Sequence, residues 1–141
     1  MERKATAVWQ GGLKDGKGTL TTESKILSNT PYSFGTRFEG SPGTNPEELL
    51  GAAHAGCFTM ALSAQLGEAG IKPGRIETRA TITFEKLDAG FTITRSHLDV
   101  AVRAPGAERA RFEHAAEKAK TGCPMSKVLK AEISMNARLE G

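Results

Sequence analysis

An α+β fold is predicted by three features of the sequence. Strand-like and helix-like segments come in separate blocks, one helix is apolar or small on nearly every face, and a long alternating hairpin stands between the two main helices. Residues 3 to 10 (Arg-Lys-Ala-Thr-Ala-Val-Trp-Gln) have strand character. Gly11, Gly12, Gly16 and Gly18 then punctuate a turn before a second strand at Thr19 to Glu23, so the chain opens on a hairpin. A further extended segment, Tyr32 to Phe38, places Arg37 near a strand end, ahead of a loop at Glu39 to Thr44.

Asn45 is a good N-cap, Pro46 suits the first helical position, and Glu47 and Glu48 put negative charge in the first turn. A helix is therefore expected from about Pro46 to Gly67. Between Leu49 and Leu62 it carries almost nothing polar but His54 and Thr59, so other elements must surround it. Gly51, Ala52, Ala53, Ala55 and Gly56 also permit close approach of another backbone, and one chain has little material to cover them all. A homodimer sharing this region is expected.

Arg75 to Leu87 and Phe91 to Arg103, joined by Asp88-Ala89-Gly90, read as a β-hairpin with Ile76, Thr78, Ala80, Ile82 and Phe84 on the core side. A second helix follows at about Ala107 to Thr121, with Ala110, His114, Ala115 and Lys118 at helical spacing and Gly122 as its stop. Cys123-Pro124 begins a short turn of helix to about Lys130. Glu132 to Glu140 alternates as a last strand. The expectation is antiparallel sheets wrapped around a central apolar helix. At 141 residues the chain has room for one domain, 1-141.

The start of the chain lacks the apolar core of a signal peptide, and no uninterrupted apolar run reaches the ~18 residues that span a bilayer. A soluble cytoplasmic protein without membrane partners is expected. The net charge of +3 is spread along the chain, and a single Trp and a single Tyr offer little stacking surface, which disfavours nucleic acid.

The two cysteines, Cys57 and Cys123, are the best clue to function, against a plain reading as two unrelated core thiols. In a reducing compartment they are poor candidates for a permanent staple, and they lack the CxxC spacing of a zinc or thioredoxin motif. Cys57 lies in the least polar stretch, where burial raises a thiol's pKa and suppresses the reactive thiolate; even an ordinary thiol is only about 3% ionised at neutral pH. A nearby guanidinium suits the compensation, because it stays charged when desolvated and presents a fork of donors. Lowering the pKa by two units requires roughly 2.7 kcal/mol of preferential thiolate stabilisation. Composition does not identify which arginine supplies it. His54, three residues before Cys57, reads as a packed or hydrogen-bonded helix residue, a base or a metal ligand, though a site of His54, Cys57 and Cys123 would need a further ligand.

The segments Pro31-Tyr32-Ser33-Phe34-Gly35-Thr36-Arg37-Phe38-Glu39-Gly40, Gly43-Thr44-Asn45-Pro46-Glu47-Glu48-Leu49, Ala52-Ala53-His54-Ala55-Gly56-Cys57-Phe58 and Gly122-Cys123-Pro124-Met125-Ser126-Lys127-Val128-Leu129 resemble, in the same order, those of the OsmC/Ohr family of thiol peroxidases. The Thr-Arg-Phe-Glu-Gly block is closer to the OsmC branch. The resemblance covers essentially the whole chain.

It implies an intertwined homodimer with active sites at the subunit interface. It further implies reduction of organic hydroperoxides, and less efficiently hydrogen peroxide, without metal, flavin or other cofactor. By the same resemblance Cys57 is the peroxidatic cysteine, Cys123 the resolving one, Arg37 the thiolate stabiliser and Glu47 the residue that holds Arg37. The implied reductant is a dithiol, a lipoylated protein in relatives of the family.

Phe34, Phe38, Phe58, Met60 and Met125 are candidate linings of an apolar substrate channel, against a plainer reading as core. Lys127 reads as a surface lysine or as a group that tunes Cys123. On a straight helix Glu47 stands about ten residues, or ~15 Å, from Cys57. Either the helix breaks near Gly51 or Gly56, or Arg37 and Glu47 reach a given Cys57 from different subunits. A redox sensor or binding protein that uses the same disulfide without turnover is the alternative function, and a structural protein with incidental cysteines the plainest one.

Overall fold

The computed structural model describes residues 1–141. The chain forms two compact units, Met1–Leu49 and Leu50–Gly141. In the first, β1 (Ala5–Gln10), β2 (Lys17–Thr22) and β3 (Thr30–Tyr32) make an antiparallel sheet in that order. Gly18 sits between Trp9 and Tyr32 in the register. A side chain there would come within 2.5 Å of both rings, and its absence lets Trp9 and Tyr32 meet edge to face with centroids 5.5 Å apart.

The expected extension of this strand to Phe38 is not observed. Ser33 stops it and caps a one-turn helix, α1 (Phe34–Phe38). The Thr36 N–H donates to Ser33 Oγ at 3.3 Å, and the Ser33 N–H donates to Thr36 Oγ1 at 2.9 Å. Two backbone donors are thereby satisfied reciprocally, with threonine in the place usually taken by Glu or Gln. Arg37 therefore projects from a helix rather than from a strand end.

Helix α2 (Pro46–Glu68) starts where the capping signals place it, the Glu48 N–H donating to Asn45 Oδ1 at 2.8 Å. It begins in the first unit and continues through the second without interruption. At 23 residues and mean hydropathy 1.2 it is long and apolar enough, by length and composition, to cross a membrane, which the reading of uninterrupted apolar runs did not register. Phe58, Leu62 and Leu66 of this helix are nevertheless fully buried in the protein core.

The second unit adds the hairpin β4 (Arg75–Leu87) and β5 (Gly90–Arg103), helices α3 (Arg109–Gly122) and α4 (Pro124–Val128), and β6 (Glu132–Glu140). Its sheet has the order β4-β5-β6. The expectation of purely antiparallel sheets is corrected here: β6 pairs with β5 in parallel. The helical crossover between them carries the chain back to the sheet's starting end, and a connection of that kind returns the strand in the same direction.

The core lies between α2, the central strand β5 (Leu98, Val100, Val102) and α3 (Phe112, Ala115, Ala116, Ala119). Of the α3 residues singled out by spacing only Ala115 is buried; Ala110, His114 and Lys118 lie on the exposed side. Gly122 is the last helical residue rather than a left-handed stop. The break falls at Cys123, whose ψ of 128° is the extended value that a following proline favours.

Within the second unit α2 is covered on one side only. Gly51 packs on β4, where an added Cβ would lie 3.4 Å from the Ile82 side chain. Ala52, Ala53, Gly56, Met60, Ala64 and Gly67, at helical spacing on the other side, are exposed.

Candidate functional site

In the first unit, α1 and the start of α2 are tied together twice. Asn45 Nδ2 donates to the Thr36 carbonyl at 3.1 Å. Arg37 grips Glu47 through two nitrogens: Nε is 3.1 and 3.3 Å from the carboxylate oxygens, and Nη2 is 2.7 Å from Oε1. Such fork geometry fixes the plane of the guanidinium as well as its position. Glu47 is buried, whereas the Arg37 side chain is 36% exposed. The expected contact of Arg37 with Glu47 is thus formed, and Arg37 also lines a cavity of about 240 Å³ together with Trp9, Leu13, Tyr32, Ser33, Phe34 and Phe38. Phe34 and Phe38 pack together at 4.9 Å between centroids, and Arg37 lies 5.3 Å from the Phe38 ring. A guanidinium beside apolar walls suits a ligand with a polar head and a hydrocarbon body.

In the second unit, Cys57 on α2 and Cys123 at the α3–α4 junction come together as free thiols with their sulfurs 3.1 Å apart. Cys123 is fully buried and Cys57 partly so. Burial pushes the Cys57 thiol up, the contact with Cys123 adds to that, and the Met125 N–H pulls weakly the other way. Burial also opposes ionisation of Cys123, but there it is outweighed. The neighbouring Cys57 thiol, the backbone and hydroxyl of Ser126 and the backbone of Met125 counter that and keep it below the ordinary thiol value. Within this unit the neighbours thus favour a thiolate at Cys123 over one at Cys57.

His54 is fully buried, and both ring nitrogens meet hydroxyls: Nδ1 lies 2.6 Å from Ser96 Oγ and Nε2 lies 2.9 Å from Ser126 Oγ. Of the three readings of this residue, the hydrogen-bonded one fits the geometry. Burial pushes its pKa below the ordinary 6.5 and favours the neutral ring.

The remaining channel candidates separate. Phe58 is fully enclosed in the core, Met60 stands 77% exposed on the outer side of α2, and Met125 packs partly buried beside the dithiol. The plainer reading as core holds for Phe58. Lys127 is exposed. Sequence reasoning did not single out Ser96 or Ser126. The hydroxyl three residues after Cys123 was the one visible signal, whereas Ser96 is an unremarked polar residue at an inward position of an alternating strand.

The family model described as "OsmC-like protein" matches residues 38–138. The chain is 53% identical over 140 residues to Peroxiredoxin OsmC of Escherichia coli strain K12, covering 99% of this chain and 98% of that one. It is 29% identical over 127 residues to the Organic hydroperoxide resistance protein of Xanthomonas axonopodis pv. citri, covering 87% and 86%. Among solved structures, an OsmC-like protein of unknown function from Vibrio cholerae superposes with a TM-score of 0.77 at 15% identity, covering 98% of this chain and 99% of that one. OhrB of Bacillus subtilis gives 0.67 at 23% identity, covering 97% and 98%. With the family model matched over most of the sequence and a relative more than half identical along its whole length, the chain belongs to the OsmC-like family of proteins.

Proposed function

We propose that residues 1–141 act as one cysteine peroxidase that reduces organic hydroperoxides to alcohols. The single observation that carries this reading is the meeting of two free thiols, remote in sequence, with sulfurs 3.1 Å apart in the interior. The names of two relatives, Peroxiredoxin OsmC and Organic hydroperoxide resistance protein, support it. The Cys57 thiolate attacks the distal peroxide oxygen, the O–O bond breaks and alcohol departs after taking up a proton. Cys57 is left as a sulfenic acid, which Cys123 converts to a disulfide with loss of water. An external dithiol, a lipoylated protein in this proposal, restores both thiols. The setting is a reducing cytoplasm.

Cys57 needs a cation, because burial opposes its ionisation and its neighbours favour Cys123. Arg37 is proposed for that role, oriented by Glu47. Helix α2 is continuous, so Glu47 stands ~15 Å along the axis from Cys57 of the same chain. This supports delivery of the guanidinium by a second copy, and the exposed side of α2 with Ala52, Ala53, Gly56 and Met60 is the face proposed to meet that copy. Phe34 and Phe38 would hold the hydrocarbon part of the substrate.

The test is steady turnover of an organic hydroperoxide with lipoyl, thioredoxin or glutathione donors, run beside hydrogen peroxide. Turnover is expected with a dithiol, faster on the organic substrate. Cys57→Ser should abolish it, and Cys123→Ser should permit one oxidation and then stall. A disulfide formed by peroxide without turnover would replace the enzyme reading with that of a redox sensor.

A further inference from the structure

The side of the β4-β5-β6 sheet that faces away from α2 has no part in the cycle above. Leu98, Val100 and Val102 point into the core, so on the central strand His97, Asp99 and Ala101 lie on the opposite face. Ala101 leaves a depression there of about 270 Å³, walled by Glu77 and Arg79 of β4, Asp99 of β5 and Arg138 of β6. Glu77, Ala101 and Arg138 form one cross-strand row, and Arg79, Asp99 and Asn136 the next.

Opposite charges directly across a sheet stabilise each other, yet here both carboxylates turn along their own strand. Glu77 Oε2 lies 3.2 Å from Arg75 Nη2. Asp99 Oδ1 lies 3.3 Å from His97 Nε2, and that ring is held from its other nitrogen, Nδ1, by Ser134 Oγ at 2.6 Å. Arg79 and Arg138 are left exposed, with no hydrogen bond or ion pair inside the chain. Strands β4 and β6 stand about 10 Å apart, two sheet spacings. Two long arginine side chains can therefore bring both forks over the Ala101 methyl, where a larger residue would stand between them.

We propose that Arg79 and Arg138 form a binding site for a small soluble phosphomonoester. A tetrahedral dianion has separate oxygens for two guanidinium forks that arrive from opposite sides, whereas a monocarboxylate has two oxygens and satisfies one fork. Glu77 and Asp99 keep free lone pairs at the rim and suit a ligand that carries an ammonium or hydroxyl beside its phosphate. The same two carboxylates repel a densely anionic membrane surface, which separates a soluble ligand from a lipid headgroup. The site is on the far side of the sheet from Cys57 and Cys123, so it stands or falls independently of the peroxidase reading.

The test is a titration of the full chain in phosphate-free, low-salt buffer at mildly alkaline pH, where a phosphomonoester is doubly charged. Inorganic phosphate and phosphoethanolamine are the probes, and amide NMR shifts the readout. Saturable shifts centred on Ala101 and its partners in register are expected, with phosphoethanolamine binding severalfold tighter. Arg79→Ala and Arg138→Ala should each weaken binding about tenfold, the loss of a charge-assisted hydrogen bond. Arg138→Lys should restore only part of it, keeping the charge without the fork. Glu77→Gln should remove the preference for phosphoethanolamine.

Arg95→Gln, on the same face but outside the depression, should leave binding unchanged. A loss equal to that in Arg138→Ala would show diffuse attraction to a basic face and overturn the proposal. Shifts that never saturate would overturn it too, as would retention by phosphatidic acid vesicles without any response to the free phosphates.

Discussion

The Arg37–Glu47 clamp and the Cys57–Cys123 dithiol solve opposite problems. The clamp keeps a permanent charge oriented at a partly open surface, with a partly exposed arginine side chain and a buried carboxylate behind it. The dithiol sits in the interior, where burial opposes ionisation and only neutral donors reach it. Each lacks what the other has. A charge that stays in contact with solvent is inexpensive to maintain, whereas a sulfur that must react away from water needs a charge brought to it. The contrast explains how a thiol in so apolar a helix can be proposed as a nucleophile.

The largest effect that would break the comparison lies in the interior. Phe58→Ala removes a fully buried ring next to Cys57 and should cost about 3–5 kcal/mol of stability in chemical denaturation. A loss below about 1 kcal/mol would mean that the dithiol is not backed by a packed core. Arg37→Ala comes next. The fold should stay intact at a lower Tm, because buried Glu47 loses its partner, while peroxide attack at neutral pH should slow roughly 100-fold, the two pKa units assigned to the guanidinium, with recovery as pH rises toward the unassisted thiol. A wild-type pH profile would detach the clamp from the chemistry.

Asn45→Ala should have a smaller effect, costing about 1 kcal/mol through loss of the cap on α2. It also cuts the tie to Thr36, so it should lower turnover more than Glu48→Gln, which removes a charge from the same turn but leaves both Asn45 contacts in place. Equal turnover in the two variants would remove the α1–α2 tie from the site.

Acid separates the regions by sign. The folded pKa of His54 lies below its ordinary 6.5, so the unfolded chain binds the extra proton first. The stability tied to a neutral His54 is complete above 6.5 and falls away as pH drops below it. Melting curves between neutrality and mild acid should show that decline; a flat Tm across the window would mean that His54 protonates freely in the folded protein.

Much of this arrangement was legible before any coordinates. Asn45, Pro46, Glu47 and Glu48 announced the start of α2 because capping is a local matter of a few backbone N–H groups, and the alternation over Arg75–Leu87 announced β4 for the same reason. Arg37 was assigned to a strand because threonine occupies the Glu position of the capping box, which leaves a one-turn helix without its usual sequence mark. The parallel pairing of β6 escaped notice because alternation fixes which side of a strand is buried and not which way its neighbour runs.

By itself, then, the amino-acid order determined the capped central helix, the alternating hairpin and, through resemblance, the two cysteines and the arginine. All of these are written in short-range pattern or in matched residues. Only the tertiary structure decided that Ser96 and Ser126 converge on His54, that Phe58 is walled into the core, and that one side of α2 is left open. These depend on which side chains meet when remote elements pack, and no periodicity along the chain encodes the distance between atoms that lie dozens of residues apart.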